Sequence, residues 1–193
     1  MAVLESAGRK PSYMSDIEKY GAGGEGVFVS LEENKIHDKG YSLFDVTKVK
    51  EYQHADIDFV ISKDSDIGTL PCIDEVVSSE RFEKIEVKLD TRALSTGNLQ
   101  YEVISHGSLG WSVITKSDYI YMVLCEEDEE TLVVRKILWL DMKKWNAFAQ
   151  DRSRKKRINF IQNEEIVDFL CRISDMRSYG VILSERNVNI ELK

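Results

Sequence analysis

The sequence predicts an α/β (α+β) fold, a mixed β-sheet flanked by helices in a single domain, on three observations. Apolar and charged residues alternate over several short stretches, most clearly in Phe82-Glu83-Lys84-Ile85-Glu86-Val87-Lys88-Leu89-Asp90, which is strand periodicity. Helical periodicity follows in the C-terminal third, where Asp141 offers a cap and Ile166, Phe169, Leu170 and Ile173 share one face. The 193 residues suffice for one sizeable core and are too few for two comfortable ones. A hydrophobic content of 42% with 31% charged residues excludes wholesale disorder.

Taken in order, residues 1–20 are polar and frayed, and the run Gly21-Ala22-Gly23-Gly24-Glu25-Gly26 reads as a flexible entry. It fails as a phosphate loop, because no strand precedes it and no Lys-Ser/Thr follows. Glu25 within it and Glu32 behind it read as solvated acids that could reach a site. Strands are expected over residues 42–49, 57–62, 82–90 and 99–105, the second rich in β-branched and aromatic residues. Residues 63–79 form a loop with a helical turn, and Thr96-Gly97-Asn98 is a turn signal. Residues 117–125 are apolar enough for a strand covered on both faces. The acids 126–130 make a solvated hairpin loop, after which 131–140 returns as a strand. A helix runs from Asp141 to about Gln150, a second occupies 163–174, and 179–183 with 188–192 form a small hairpin. Asp118 reads as a cap or a buried partner, Trp111 and Tyr101 as core aromatics.

A formal charge of −8 excludes a protein that coats nucleic acid with its whole surface. The charge is uneven. Between Thr131 and Phe160 nine Lys/Arg stand against two Asp, a local +7 that leaves −15 for the rest. Cys72, Cys125 and Cys171 are odd in number and widely spaced, so they read as buried thiols in a reducing compartment. An N-terminus without an apolar signal core, and no apolar run of spanning length, lead to the expectation of a cytoplasmic protein with no membrane partner.

Within the strand 82–90, Glu86 and Lys88 fall side by side on one face. A carboxylate so placed can hold a divalent metal while the ammonium sits beside the water that the metal activates. Upstream, Asp56-Ile57-Asp58-Phe59 supplies acids at the start of another strand, with Asp56 and Asp58 on one side of it. Four blocks recur in order: Tyr52-Gln53 to Phe59, Ile85 to Asp90, Thr96-Gly97-Asn98 to Glu102, and Gly110-Trp111 with Thr115 to Tyr121. This string resembles the PD-(D/E)xK superfamily of restriction-endonuclease-like nucleases, especially small phage- or prophage-type members. The likeness covers about residues 44–141, with 142–193 left as C-terminal helices and a hairpin.

The resemblance implies a restriction-endonuclease-like sheet and a metal-dependent DNA endonuclease. Asp58, Glu86 and Lys88 would be catalytic. Asp58, Glu86 and the carbonyl of Val87 would hold Mg²⁺ or Mn²⁺, and Lys88 would orient or help deprotonate the attacking water. Asp56 competes with Asp58; Asp90, Glu102 and Glu25 are further candidates, Glu102 either for a second ion or for orienting Lys88. The proline of the motif is absent, Ile57 standing in its place. Duplex DNA is the implied substrate, with Arg152, Arg154, Lys155, Lys156 and Arg157 as phosphate contacts, and relatives often work as homodimers. Two alternatives stay open: a catalytically inactive nuclease-fold protein that binds DNA or a host or phage protein, and a hydrolase acting on RNA or nucleotides.

Overall fold

In the computed structural model the described residues are 13–128, 131–154, 159–162 and 166–192. The chain runs through α1 (Tyr13–Asp38), β1 (Ser42–Asp45), α2 (Lys50–Gln53), β2 (Phe59–Ser62), α3 (Ile73–Ser78) and β3 (Phe82–Asp90). Next come α4 (Ala93–Thr96), β4 (Asn98–Ser105), β5 (Ser108–Leu109), α5 (Trp111–Ile114), β6 (Tyr119–Asp128) and β7 (Thr131–Asp141). The last elements are α6 (Met142–Arg154), β8 (Asn159–Gln162), β9 (Val167–Arg172), α7 (Ile173–Tyr179) and β10 (Ile182–Leu192).

A six-stranded mixed sheet of order β1-β2-β3-β6-β7-β10 is flanked by helices, giving the expected mixed α/β architecture. Only β3 and β6 are parallel; their neighbours pair antiparallel. A parallel pair needs a crossover, and this one carries α4, β4, β5 and α5. That crossover contributes to a second sheet of order β5-β4-β9-β8 and brings it beside the end of β3.

The alternation in β3 sends Ile85, Val87 and Leu89 to a core under α1, with Phe28, Phe59 and Tyr121. Full burial of such side chains contributes about 1.5–3 kcal/mol each. Across the sheet, Trp145 and Phe148 of α6 pack with Ile120, Met122, Leu138 and Leu140 and with Leu99, Tyr101 and Cys171 of the small sheet. Tyr52, Val60, Val76 and Phe82 fill a third cluster under α2 and α3. Strand β3 matches its expected bounds, and Asp141 does cap α6, its Oδ1 accepting the Lys144 N–H at 2.9 Å.

Several expectations are corrected. The glycine-dense run lies inside α1, where each glycine costs helix propensity, but Gly23 and Gly24 permit close packing. A Cβ on Gly24 would meet Val87 Cγ1 at 3.2 Å. Gly24→Leu is therefore expected to cost about 1–3 kcal/mol by overpacking, read as a lower urea midpoint at unchanged slope. Glu32 is buried, accepting hydrogen bonds from the Tyr121 hydroxyl at 3.1 Å and the Arg186 guanidinium at 2.6 Å.

Of the helix expected over 163–174, residues 163–165 lie outside the described residues, and 167–174 are instead β9 and the start of α7, because pairing with β4 and β8 outweighs the local spacing. The C-terminal hairpin is one strand, β10, laid along β7 with irregularities between Ile182 and Ser184 and between Asn187 and Ile190. Residues 126–128 extend β6 and are not loop. Cys72 is exposed, whereas Cys125 and Cys171 are buried, and all three are free thiols. Among the described residues no helix is long and apolar enough to cross a membrane.

Candidate active site

Strands β2 and β3 pair with Phe59 opposite Ile85, and the Asp58 N–H donates to the Ile85 carbonyl at 2.9 Å. This bond falls one residue off the β2–β3 register, just before β2 begins, and it brings the Asp58 carboxylate beside that of Glu86. Asp58 Oδ2 accepts the Val87 N–H at 2.8 Å. Because N–H and C=O of one strand residue point to the same side, the Val87 carbonyl also faces the space beyond β2. Lys88 forms an ion pair with Glu86 Oε1, and its Nζ lies 5.2 Å from the centre of the Trp111 ring.

Asp56 reaches the same place by another route. It is a turn residue at φ 48°, not a strand neighbour of Asp58 as the sequence suggested. Asp tolerates this left-handed conformation better than most side chains. Its carbonyl is pinned by the Ser117 hydroxyl at 2.7 Å and the Thr115 hydroxyl at 3.1 Å. The connection from α5 to β6 thus holds Asp56 near Glu86, Lys88 and Glu102.

Burial is the leading influence on the acids. It pushes Asp58 up to about 6 against the opposing Val87 hydrogen bond and Lys88, with Glu25 and Asp56 adding repulsion. Glu86 is pushed up to about 7, first by burial and then by Asp58, against the attraction of Lys88. Asp56 rises to about 6, again mainly by burial. Burial would lower Lys88, but Glu86, Asp56 and Asp58 more than offset it and hold the ammonium above its ordinary value. A lysine so held stays protonated at neutral pH. It can neutralise charge and orient a water, but it is not a free base.

Glu86 Oε2 and Asp56 Oδ2 are both buried, with no hydrogen-bond partner among the described residues. Buried carboxylate oxygens are costly to leave unpaired and ask for a water or a cation. Among the described residues no three His, Cys, Asp or Glu side chains form a ready-made metal cage. The oxygen donors present suit a hard ion that keeps much of its water, Mg²⁺ or Mn²⁺.

The remaining candidates separate. Glu25, on α1, is raised by burial and then by Asp45 and Glu86, so it borders the site. Asp90 caps the turn into α4, its Oδ1 accepting the N–H groups of Arg92 at 2.7 Å and Ala93 at 2.8 Å. Glu102 Oε1 accepts the Trp111 N–H at 3.2 Å. Arg152 stacks over Phe148 at 5.3 Å and faces Asp175 at 4.0 Å, tying α6 to α7. The Arg154 side chain and Lys155, Lys156 and Arg157 lie outside what the structure describes. Asp118 is a partner and no ligand: it binds the buried Lys84 ammonium at 2.8 Å.

A cleft of about 450 Å³ opens beside Lys88, walled by Arg92, Asn98, Gln100, Glu102 and Trp111. The sequence reading missed the contact of Trp111 with Lys88. No local pattern marks it, since β4 and α5 must fold before the ring meets the ammonium.

No protein-family model matches the chain, and no curated protein matches it. Among solved structures, a nuclease from a fusselovirus aligns over 91% of this chain and 96% of its own, at 10% identity and a TM-score of 0.36.

Proposed function

We propose that the protein is a metal-dependent phosphodiesterase, a nuclease acting through Asp58, Glu86 and Lys88. The observation that carries this reading is the meeting of the Asp58 and Glu86 carboxylates beside Val87, with the Lys88 ammonium on one Glu86 oxygen and the other oxygen buried with no hydrogen-bond partner among the described residues. Asp58, Glu86 and the Val87 carbonyl would hold Mg²⁺ or Mn²⁺. Such an ion lowers the pKa of a bound water and neutralises charge on a scissile phosphate. Lys88, charged through neutral pH, orients the attacking water and offsets the extra negative charge. Glu86 and Asp58 must shed their protons to take up the metal, so metal binding, and with it activity at sub-saturating metal, is expected to rise with pH from about 6 to above 7.

Nucleic acid follows as the substrate because the cleft beside Lys88 offers Arg92 for phosphate, with Asn98 and Gln100 as polar contacts. The basic run ending at Arg157 would add phosphate contacts. Changing Arg154, Lys155 and Lys156 together to Ala is expected to weaken DNA binding and flatten its salt dependence by up to about 0.9 for each phosphate no longer neutralised. An unchanged slope in a filter-binding titration removes that segment from the interface.

The reading is tested by incubating plasmid, single-stranded, duplex and branched DNA, and RNA, with Mg²⁺ or Mn²⁺ and with chelator. Cutting that needs the metal supports it, and the preferred polymer names the substrate. No cutting of any polymer shifts the assignment to a non-catalytic binding protein on the same scaffold.

A further inference from the structure

We infer that Glu102, Gly110 and Trp111 form a clamp that positions Lys88 against Glu86, and that Glu102 is a positioning residue and not a second metal ligand. Its catalytic consequence rests on the nuclease reading, but its geometry does not. Lys88 is a long, flexible side chain whose ammonium has more than one carboxylate within reach. The Trp111 ring face, 5.2 Å from Nζ, restricts it by a cation–π contact. The ring is in turn fixed by an edge-to-face contact with the fully buried Trp145, centroids 5.6 Å apart at 67°.

Trp111 begins the four-residue helix α5, too short to hold its own place. Strand β4 holds it instead. The Glu102 carboxylate accepts the Trp111 N–H at 3.2 Å, and the Glu102 N–H donates to the Ser112 hydroxyl at 2.9 Å. The Tyr101 hydroxyl donates to Asn146 Oδ1 and lies 3.3 Å from the Ser112 carbonyl, and the Gly110 N–H donates to the Val103 carbonyl at 2.8 Å. Gly110 lies so close that a Cβ there would stand 2.6 Å from the Glu102 main-chain oxygen. One oxygen of the Glu102 carboxylate is thereby engaged on a backbone N–H, and these contacts together locate the indole.

The clamp can be read without catalysis. A lysine ε-methylene held over an indole face is shifted upfield in proton NMR by the ring current. The Lys88 ε-protons of the ¹³C-lysine-labelled full chain are expected to show this shift, and Trp111→Ala to abolish it. Glu102→Gln keeps an oxygen that accepts the Trp111 N–H, so the shift persists with Mn²⁺ affinity unchanged, while Glu102→Ala and Gly110→Ala reduce it. In cleavage, Trp111→Ala lowers kcat by about tenfold with KM little changed, and Trp111→Phe restores most of the loss. A Lys88 shift indifferent to Trp111→Ala overturns the clamp. So does a Glu102→Gln variant that weakens Mn²⁺ binding as much as Glu102→Ala, which makes Glu102 a ligand. Should the wild type cut nothing, the nuclease reading fails, while the NMR comparison still decides the clamp.

Discussion

Lys88→Ala is expected to reduce metal-dependent cleavage by on the order of 10²–10³-fold, the usual loss when one preorganised charge-stabilising group is removed. The reason is electrostatic. Glu86, Asp56 and Asp58 hold the half-buried lysine charged, at a site partly withdrawn from water where a fixed cation counts for more than in bulk solvent. The substitution has a second signature. Without the ammonium, the buried Glu86 loses the main influence that opposes its burial. Its ionisation then needs a higher pH, and the rising limb of the pH–rate profile moves to the alkaline side. Oligonucleotide cleavage by wild type and variant, measured from pH 5.5 to 9, checks both features. Cutting that survives unchanged in the variant assigns the activity to a different site or to a contaminant.

Glu86→Gln is expected to abolish cutting and yet stabilise the protein at neutral pH. Glu86 has a folded-state value of about 7 against an ordinary 4.5, chiefly because of burial. The folded state therefore binds the extra proton between those values. The favourable contribution of this group is fully present below about pH 4.5 and is lost as pH rises through 7. At pH 7.5 the wild type must bury a charge, or take up a proton from a dilute supply, and the amide need do neither. A gain on the order of 1–3 kcal/mol is expected at pH 7.5, falling toward zero near pH 4.5. Saturating Mg²⁺ should stabilise wild type, by about 2.7 kcal/mol at a hundred times Kd, and leave the variant unmoved. Urea unfolding at the two pH values, with and without Mg²⁺, measures all of this. If Glu86→Gln destabilises equally at both pH values, Glu86 is not held against its burial and is no metal ligand in waiting.

The pairing of Glu86 with Lys88 was legible because one strand displays both. In β3 a period of two sets Glu86 and Lys88 on one side and Ile85, Val87 and Leu89 on the other. Any sheet that buries the apolar set must present the charged one together. Asp58 could be paired with them because it opens the neighbouring strand. The Asp141 cap and the long strand β6 were legible for the same reason, since their signals lie within a few residues of chain.

Tertiary structure decided everything that depends on distant partners. The glycines at 21–26 look like a flexible loop until α1 is laid on the sheet, where Gly24 lets the helix approach Val87 and Leu89. Phe169 and Leu170 fit a helix by spacing, but hydrogen bonding to β4 and β8 turns them to opposite faces of a strand. Asp56 enters the site through a left-handed turn held by Thr115 and Ser117, some sixty residues on. Glu102 offers a carboxylate that sequence alone cannot assign, and only the packing of α5 on β4 commits it to the Trp111 backbone. Local periodicity thus determined which side chains each strand presents. Long-range pairing and burial determined which of them meet, and with what charge.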